Sequence, residues 1–353
     1  MIPLIMEHFS NFLGSAIKLG ILLYFISNVI KLKQISALLI LFCFIFIFNF
    51  NLDFGLGIIN ELVQLVYFPV CFFYFFIFFK NKNSLLLISQ ILSYTIIISS
   101  LFFLLGIFNE NQLIIDQLEI LSNKVENNSN NFFHFGFFEH PQAASKMYVL
   151  SVMIIMFKKK KSAIDYIILM LGIYLVYITY VRLAWLVLAM SFLLFLFHQN
   201  SKRYKILFFT FLFFSSSYII PLIINRIFNF SDELTLTSLS SGRDLLILRS
   251  ILFMQNISFM DLLFGNGFQL VMEEIGYTHN RLFEIVIFGG IVSFLLWIAI
   301  YRKIFIIVKP LLKRNYLLIS ILFLIINSMT FSHGFSPYLA LLSSIAILSS
   351  RQK

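Results

Sequence analysis

Charge is the scarcest ingredient of this 353-residue chain: 12% of its residues are Asp, Glu, Lys or Arg, about half of the ~25% typical of soluble domains. That shortage excludes an ordinary soluble fold. There are two cysteines, Cys43 and Cys71, and both fall inside apolar runs, so neither a disulfide framework nor a thiolate metal site is expected. HExxH, paired CxxC and Asp-x-Asp are all missing, as is GxxxxGK[ST]. Their absence argues against a zinc peptidase, against a divalent ion held on a nucleotide-sugar diphosphate, and against a P-loop nucleotide site. No metal or other cofactor is expected. The first basic residue is Lys18, so the charged start of a cleavable signal peptide is lacking. Short alternating segments, the mark of a transmembrane barrel, are absent too.

What the chain has instead is grease: 60% hydrophobic residues, 46 phenylalanines and a mean hydropathy of +0.94. Apolar runs long enough to cross a hydrocarbon core ~30 Å thick recur throughout. They predict an all-α polytopic membrane protein, residues 1–353 forming one membrane domain with about eleven spans. Those spans are placed at roughly 11–30, 35–52, 56–79, 84–107, 143–157, 163–180, 183–198, 205–222, 282–301, 316–331 and 334–350. Six basic clusters (Lys31/Lys33, Lys80/Lys82, Lys158–Lys161, Lys202/Arg203/Lys205, Arg302 to Arg314, Arg351/Lys353) all fall on one face if the N-terminus is outside and the C-terminus cytoplasmic. Asp165 is the acidic residue near that face. These anchors account for the +10 net charge, so nucleic acid is not an expected partner.

Two expected outer loops are long, 108–142 and 223–281, the second lying between spans eight and nine. In the second, Leu245, Leu248, Ile251 and Leu252 fit one face of a helix lying on or dipping into the membrane surface, and Gly265-Asn266-Gly267 predicts a turn after it. Eight basic residues lie off the cytoplasmic face: Lys18, Lys124, Lys146, Arg182, Arg226, Arg243, Arg249 and Arg281. Five are arginines, whose planar fork suits phosphate and carboxylate. They point to an anion presented at the outer leaflet. Plainer readings exist: Arg182 as a snorkelling anchor, Arg243 as a solvated residue beside a Ser241 or Asp244 cap, and Arg226 and Arg281 as interfacial charges near helix ends, while Arg249, six residues on, lies well round the helix from Arg243. In the stretch from Thr278 to Glu284, His279 suits a general base, Asn280 or Thr278 a helix cap, and Glu284 a partner for Arg281 at i,i+3. His134, His140 and His333 are expected on the same side, so residue type alone does not single out His279.

Four patches in order resemble the O-antigen polymerase and O-antigen ligase superfamily of bacterial envelope glycosyltransferases. GFFEHPQAASKMY (136–148) resembles its Gly-x-Phe-x-x-Pro-Asn stretch, and TYVRLAWL (179–186) its Thr-x-Ser-Arg stretch. SGRDLLI (241–247), followed by FGNGF (264–268), resembles its Ser-Gly-Arg helix and later Gly-x-Gly. THNRLFEIVIFGGIVSFLL (278–296) resembles its His-Asn stretch entering a glycine-containing span. Gln142 and Val181 depart from the pattern, as do Leu245 and Leu246 where an aromatic is often found. The resemblance implies a GT-C-like, metal-independent, inverting glycosyltransferase of the bacterial inner membrane. Its donor would be a glycan on undecaprenyl pyrophosphate. Arg182 and Arg243 would stabilise the leaving pyrophosphate and His279 would take the acceptor proton, with Asn280, Arg249, Arg281, Glu284 and His140 as substrate contacts. A polymerase extending O-antigen or capsule, with a chain-length regulator as partner, is the first expectation. A ligase acting on lipid A–core and a lipid-linked-sugar transporter are the alternatives.

Overall fold

The computed structural model describes residues 41–42, 65–66, 68–74, 82–104, 138, 141–179, 181–198, 243–266, 271, 274–275, 280–329 and 337–350. Every regular element among them is helical: α1 (Lys82–Leu104), α2 (Pro141–Met156), α3 (Ala163–Ile178), α4 (Arg182–His198), α5 (Arg243–Asn256), α6 (Phe259–Phe264), α7 (Arg281–Val308), α8 (Tyr316–Met329) and α9 (Pro337–Ser350), with a 3₁₀ turn at Lys309–Leu311. The all-α expectation therefore holds. Among the described residues two helical segments are long and apolar enough to cross a membrane, Leu85–Leu104 and Arg281–Leu311, and α3, α4, α5, α8 and α9 contain shorter apolar stretches. The expected spans 11–30 and 205–222 lie outside the described residues.

What the helices expose says more than their length. On α3, Ile164, Ile167, Met170, Tyr174 and Tyr177 are exposed at i, i+3, i+4 spacing, the face that a helix in water would make polar. Leu295, Ile298, Phe305 and Ile306 do the same on α7. Apolar stripes turned outward fit a surrounding of lipid.

Contacts group the chain into two compact units, one containing α5, α6 and most of α7, the other containing α1 to α3, most of α4, α8 and α9. In the second unit α2 is the central rod, with every residue from Ala144 to Met156 buried. Lipid tails offer no hydrophobic drive between helices, so association there rests on close packing and polar contacts. Gly172 of α3 supplies the first: a Cβ on it would lie 2.7 Å from Val152 and 2.9 Å from Ile97, which lets α3 sit directly against α2 and α1.

In the first unit α7 is not a straight rod. Gly290 has φ 73 and ψ 177, far from helical values, and a continuous helix would hold Arg281 and Tyr301 about 30 Å apart. The Arg281 guanidinium is nevertheless within electrostatic range of the Tyr301 hydroxyl. The chain must bend sharply at Gly290. The expected span nine, 282–301, is thus two legs: a nine-residue leg from Arg281 to Gly289 and a longer one from Ile291 to Val308. At about 1.5 Å per residue only the second is long enough to span a membrane.

The bend has a partner. Gly265, at φ 98, follows α6 and lies so close to the Phe288 carbonyl that a Cβ there would collide with it; a Cβ on Gly290 would collide with the Leu263 carbonyl and sit 2.5 Å from the Gly265 nitrogen. Glycine is required at both positions by conformation and by space. The Asn266 backbone N–H donates to the Ile287 carbonyl at 3.2 Å, and its Nδ2 reaches the same oxygen at 3.4 Å. A break inside a membrane helix orphans carbonyls that lipid cannot satisfy; here the Gly265–Asn266 turn satisfies one of them.

Candidate functional site

The polar segment that opens α7 is built as a helix start. The Asn280 Oδ1 accepts from the backbone N–H groups of Leu282 (3.1 Å) and Phe283 (3.4 Å), which makes Asn280 the N-cap. Arg281 and Glu284 then pair at i,i+3, Nη1 donating to Oε2 at 3.0 Å, with both side chains 1% exposed. Sequence reasoning anticipated the cap and the pair and also treated all three as substrate contacts. In the structure Asn280 caps its own helix, and Arg281 and Glu284 are paired and buried.

Three arginines singled out from the sequence each occupy the first position of a helix: Arg182 in α4, Arg243 in α5, Arg281 in α7. Backbone N–H groups at a helix start form the positive end of the dipole, where a further cation is unfavourable by about 0.3–1 kcal/mol and an anion favourable. Arg281 has Glu284 in its first turn, whereas α4 has no acidic residue in its first turn. The side chains of Arg182 and Arg243 lie outside the described residues, as do His279 and His140. Arg249 is described, and it is exposed on α5 among exposed Leu245, Leu248 and Leu252. Among the described residues no group of three His, Cys, Asp or Glu is placed to hold a metal ion.

A second polar cluster was not anticipated. Asp165, 1% exposed, accepts from the Lys158 Nζ at 2.9 Å, from the Tyr94 hydroxyl, and from the Ser162 backbone N–H at 2.6 Å. Ser162 in turn caps α3, accepting from the Asp165 N–H at 3.3 Å, the reciprocal arrangement of a capping box. The Asp165 carboxylate raises the Lys158 pKa above its ordinary value by hydrogen bonding. Neighbouring Lys161 donates to the Lys158 carbonyl at 3.0 Å and lies over the Phe195 ring, and burial pushes its pKa down. Every acceptor direction on Asp165 is used, so this cluster ties α1 to the α2–α3 turn and leaves no chemistry to spare. The local part, Ser-x-x-Asp ahead of an apolar run, was readable in the sequence; Tyr94, 71 residues away, was not.

The chain was compared with protein-family models, with curated proteins and with solved structures, and none matches.

Proposed function

We propose that this protein is a glycosyltransferase of the bacterial inner membrane. It polymerises O-antigen or capsular polysaccharide by moving a growing glycan from undecaprenyl pyrophosphate onto the next lipid-linked repeat unit. In this reading the fold is GT-C-like with about eleven spans, N-terminus outside and C-terminus cytoplasmic, and a chain-length regulator is a partner. The observation that carries it is arginine at the first position of α4 and α5, α4 having no acidic residue in its first turn. Helix-start amides and guanidinium groups together suit a lipid-borne pyrophosphate. Arg182 and Arg243 would neutralise the charge that develops on the leaving pyrophosphate, and His279, one residue before the Asn280 cap, would accept the proton of the attacking hydroxyl. The bend in α7 fits this reading as a re-entrant element that carries the polar segment before it.

The test is the glycan phenotype of a strain lacking this chain. Glycan stopped at a single repeat unit is the expected result. Long chains left on the lipid carrier with bare core would make it a ligase, and repeat units trapped on the cytoplasmic side would make it a transporter. In complementation, Arg182→Ala, Arg243→Ala and His279→Ala are each expected to lose transfer at normal membrane levels. Wild-type activity in His279→Ala would remove that residue's role as base.

A further inference from the structure

Serine hydroxyls in these helices follow a habit. Ser93, Ser191, Ser250, Ser320, Ser328 and Ser344 each donate to the carbonyl four residues earlier, which satisfies a hydroxyl inside an apolar helix. For Ser293 that carbonyl belongs to Gly289, on the other side of the break at Gly290. Ser293 is fully buried and its Oγ has no hydrogen-bond partner; one turn on, Trp297 is 5% exposed and its Nε1 has none either. Ser100, Ser151 and Ser343 also lack partners, but each sits in an unbroken helix. Trp185, by contrast, donates to the Val176 carbonyl at 3.1 Å.

Positions four apart share a helix face, so Ser293, Trp297 and Tyr301 form one stripe, with the last two rings 4.2 Å apart. The Tyr301 end of this stripe is in electrostatic range of Arg281 on the first leg of α7. The unpartnered atoms on the stripe, the Ser293 Oγ and the Trp297 Nε1, are themselves uncharged donors, which suits a neutral oxygen and not a phosphate, whose buried charge they would leave uncompensated. Ser293 is fully buried and Trp297 nearly so, so the group that would reach them is one hydroxyl in size and not a stacked ring.

We propose that Ser293 and Trp297 bind a sugar hydroxyl of the lipid-linked acceptor in the seam between the two legs of α7. This rests on the glycosyltransferase reading and adds to it the part of the substrate that is recognised there.

The chain has two tryptophans, so Trp185→Phe leaves Trp297 as the single indole reporter. The full-length variant in lipid nanodiscs is titrated with lipid-linked repeat units extracted from the producing cell, and separately with undecaprenyl pyrophosphate, which has the same lipid and charge but no sugar. Trp297 emission is expected to change with the glycan-bearing lipid alone. Ser293→Ala in the same background is expected to weaken the half-saturation point about tenfold, the loss of one neutral hydrogen bond. Its thermal midpoint should stay level or rise, because the substitution deletes a buried hydroxyl that had no partner. Equal responses to both lipids, no response, or unchanged affinity in Ser293→Ala would overturn the proposal. A transfer assay on the same sample separates the two readings. A glycan-specific signal without transfer keeps the seam and overturns the enzyme, whereas transfer with a silent Trp297 does the reverse.

Discussion

Two ion pairs in this chain look alike on paper and differ in what removing them should do. Asp165 is held by Lys158, Tyr94 and Ser162 at once, so Asp165→Ala strands a cation and two donors and is expected to cost about 3 kcal/mol of stability, readable as a lowered unfolding midpoint in detergent. Its pH dependence follows from Lys158. That pKa is raised in the folded state, so the contribution is fully present below the ordinary lysine value of ~10.4 and is lost as pH rises through the higher folded value. Unfolding midpoints should show no loss from this pair between pH 6 and 9, and the Lys158→Met variant should lack the alkaline decline. Arg281 and Glu284, both closed off, are tested by a double-mutant cycle. Arg281→Met and Glu284→Met should each be strongly destabilising, while the double variant should regain most of the loss, since two buried charges removed together leave neither alone. Additive single effects would show that the pair is not coupled. At this scale the sequence was legible where partners are near: Asn280 as a cap and Arg281 with Glu284 follow from spacing of two to four residues. It was mute for Tyr94 and for Ser293, whose environments are set by tertiary structure.

Among the elements, α7 is where reading and structure part. From Ile285 to Tyr301 its residues are apolar but for Ser293, and the Gly-Gly pair within that run is compatible with ordinary close helix packing. Only the contact with Leu263, Gly265 and Asn266 makes Gly290 a bend, and no local periodicity encodes that meeting. Gly290→Ala and Gly265→Ala are each expected to destabilise the protein by about 2 kcal/mol or more, through positive φ and through collision with backbone. Fluorescence or spin-label distances between the start of α7 and the Tyr301 turn should lengthen in the Gly290→Ala variant if the legs open. An unchanged distance and midpoint would mean that the bend does not depend on the absent side chain.

For the molecule as a whole, composition pointed to lipid as the solvent, and the helices agree in part: among the described residues two are long and apolar enough to cross a membrane, and apolar stripes face outward on α3 and α7. Placement of the faces is tested by labelling single cysteines in a background lacking Cys43 and Cys71. A cysteine at Lys160, exposed in the α2–α3 turn, should react with an impermeant reagent only from the cytoplasmic side, and one at Arg249 only from outside. Reaction of both from one side would overturn the orientation and with it the external site. The bend in α7 also bears on how the chain is made. Its docking partner, Asn266, precedes Ile287 by 21 residues and has already been synthesised. The fold back at Gly290 can therefore close while later helices are still being translated, which makes it an early step of biogenesis.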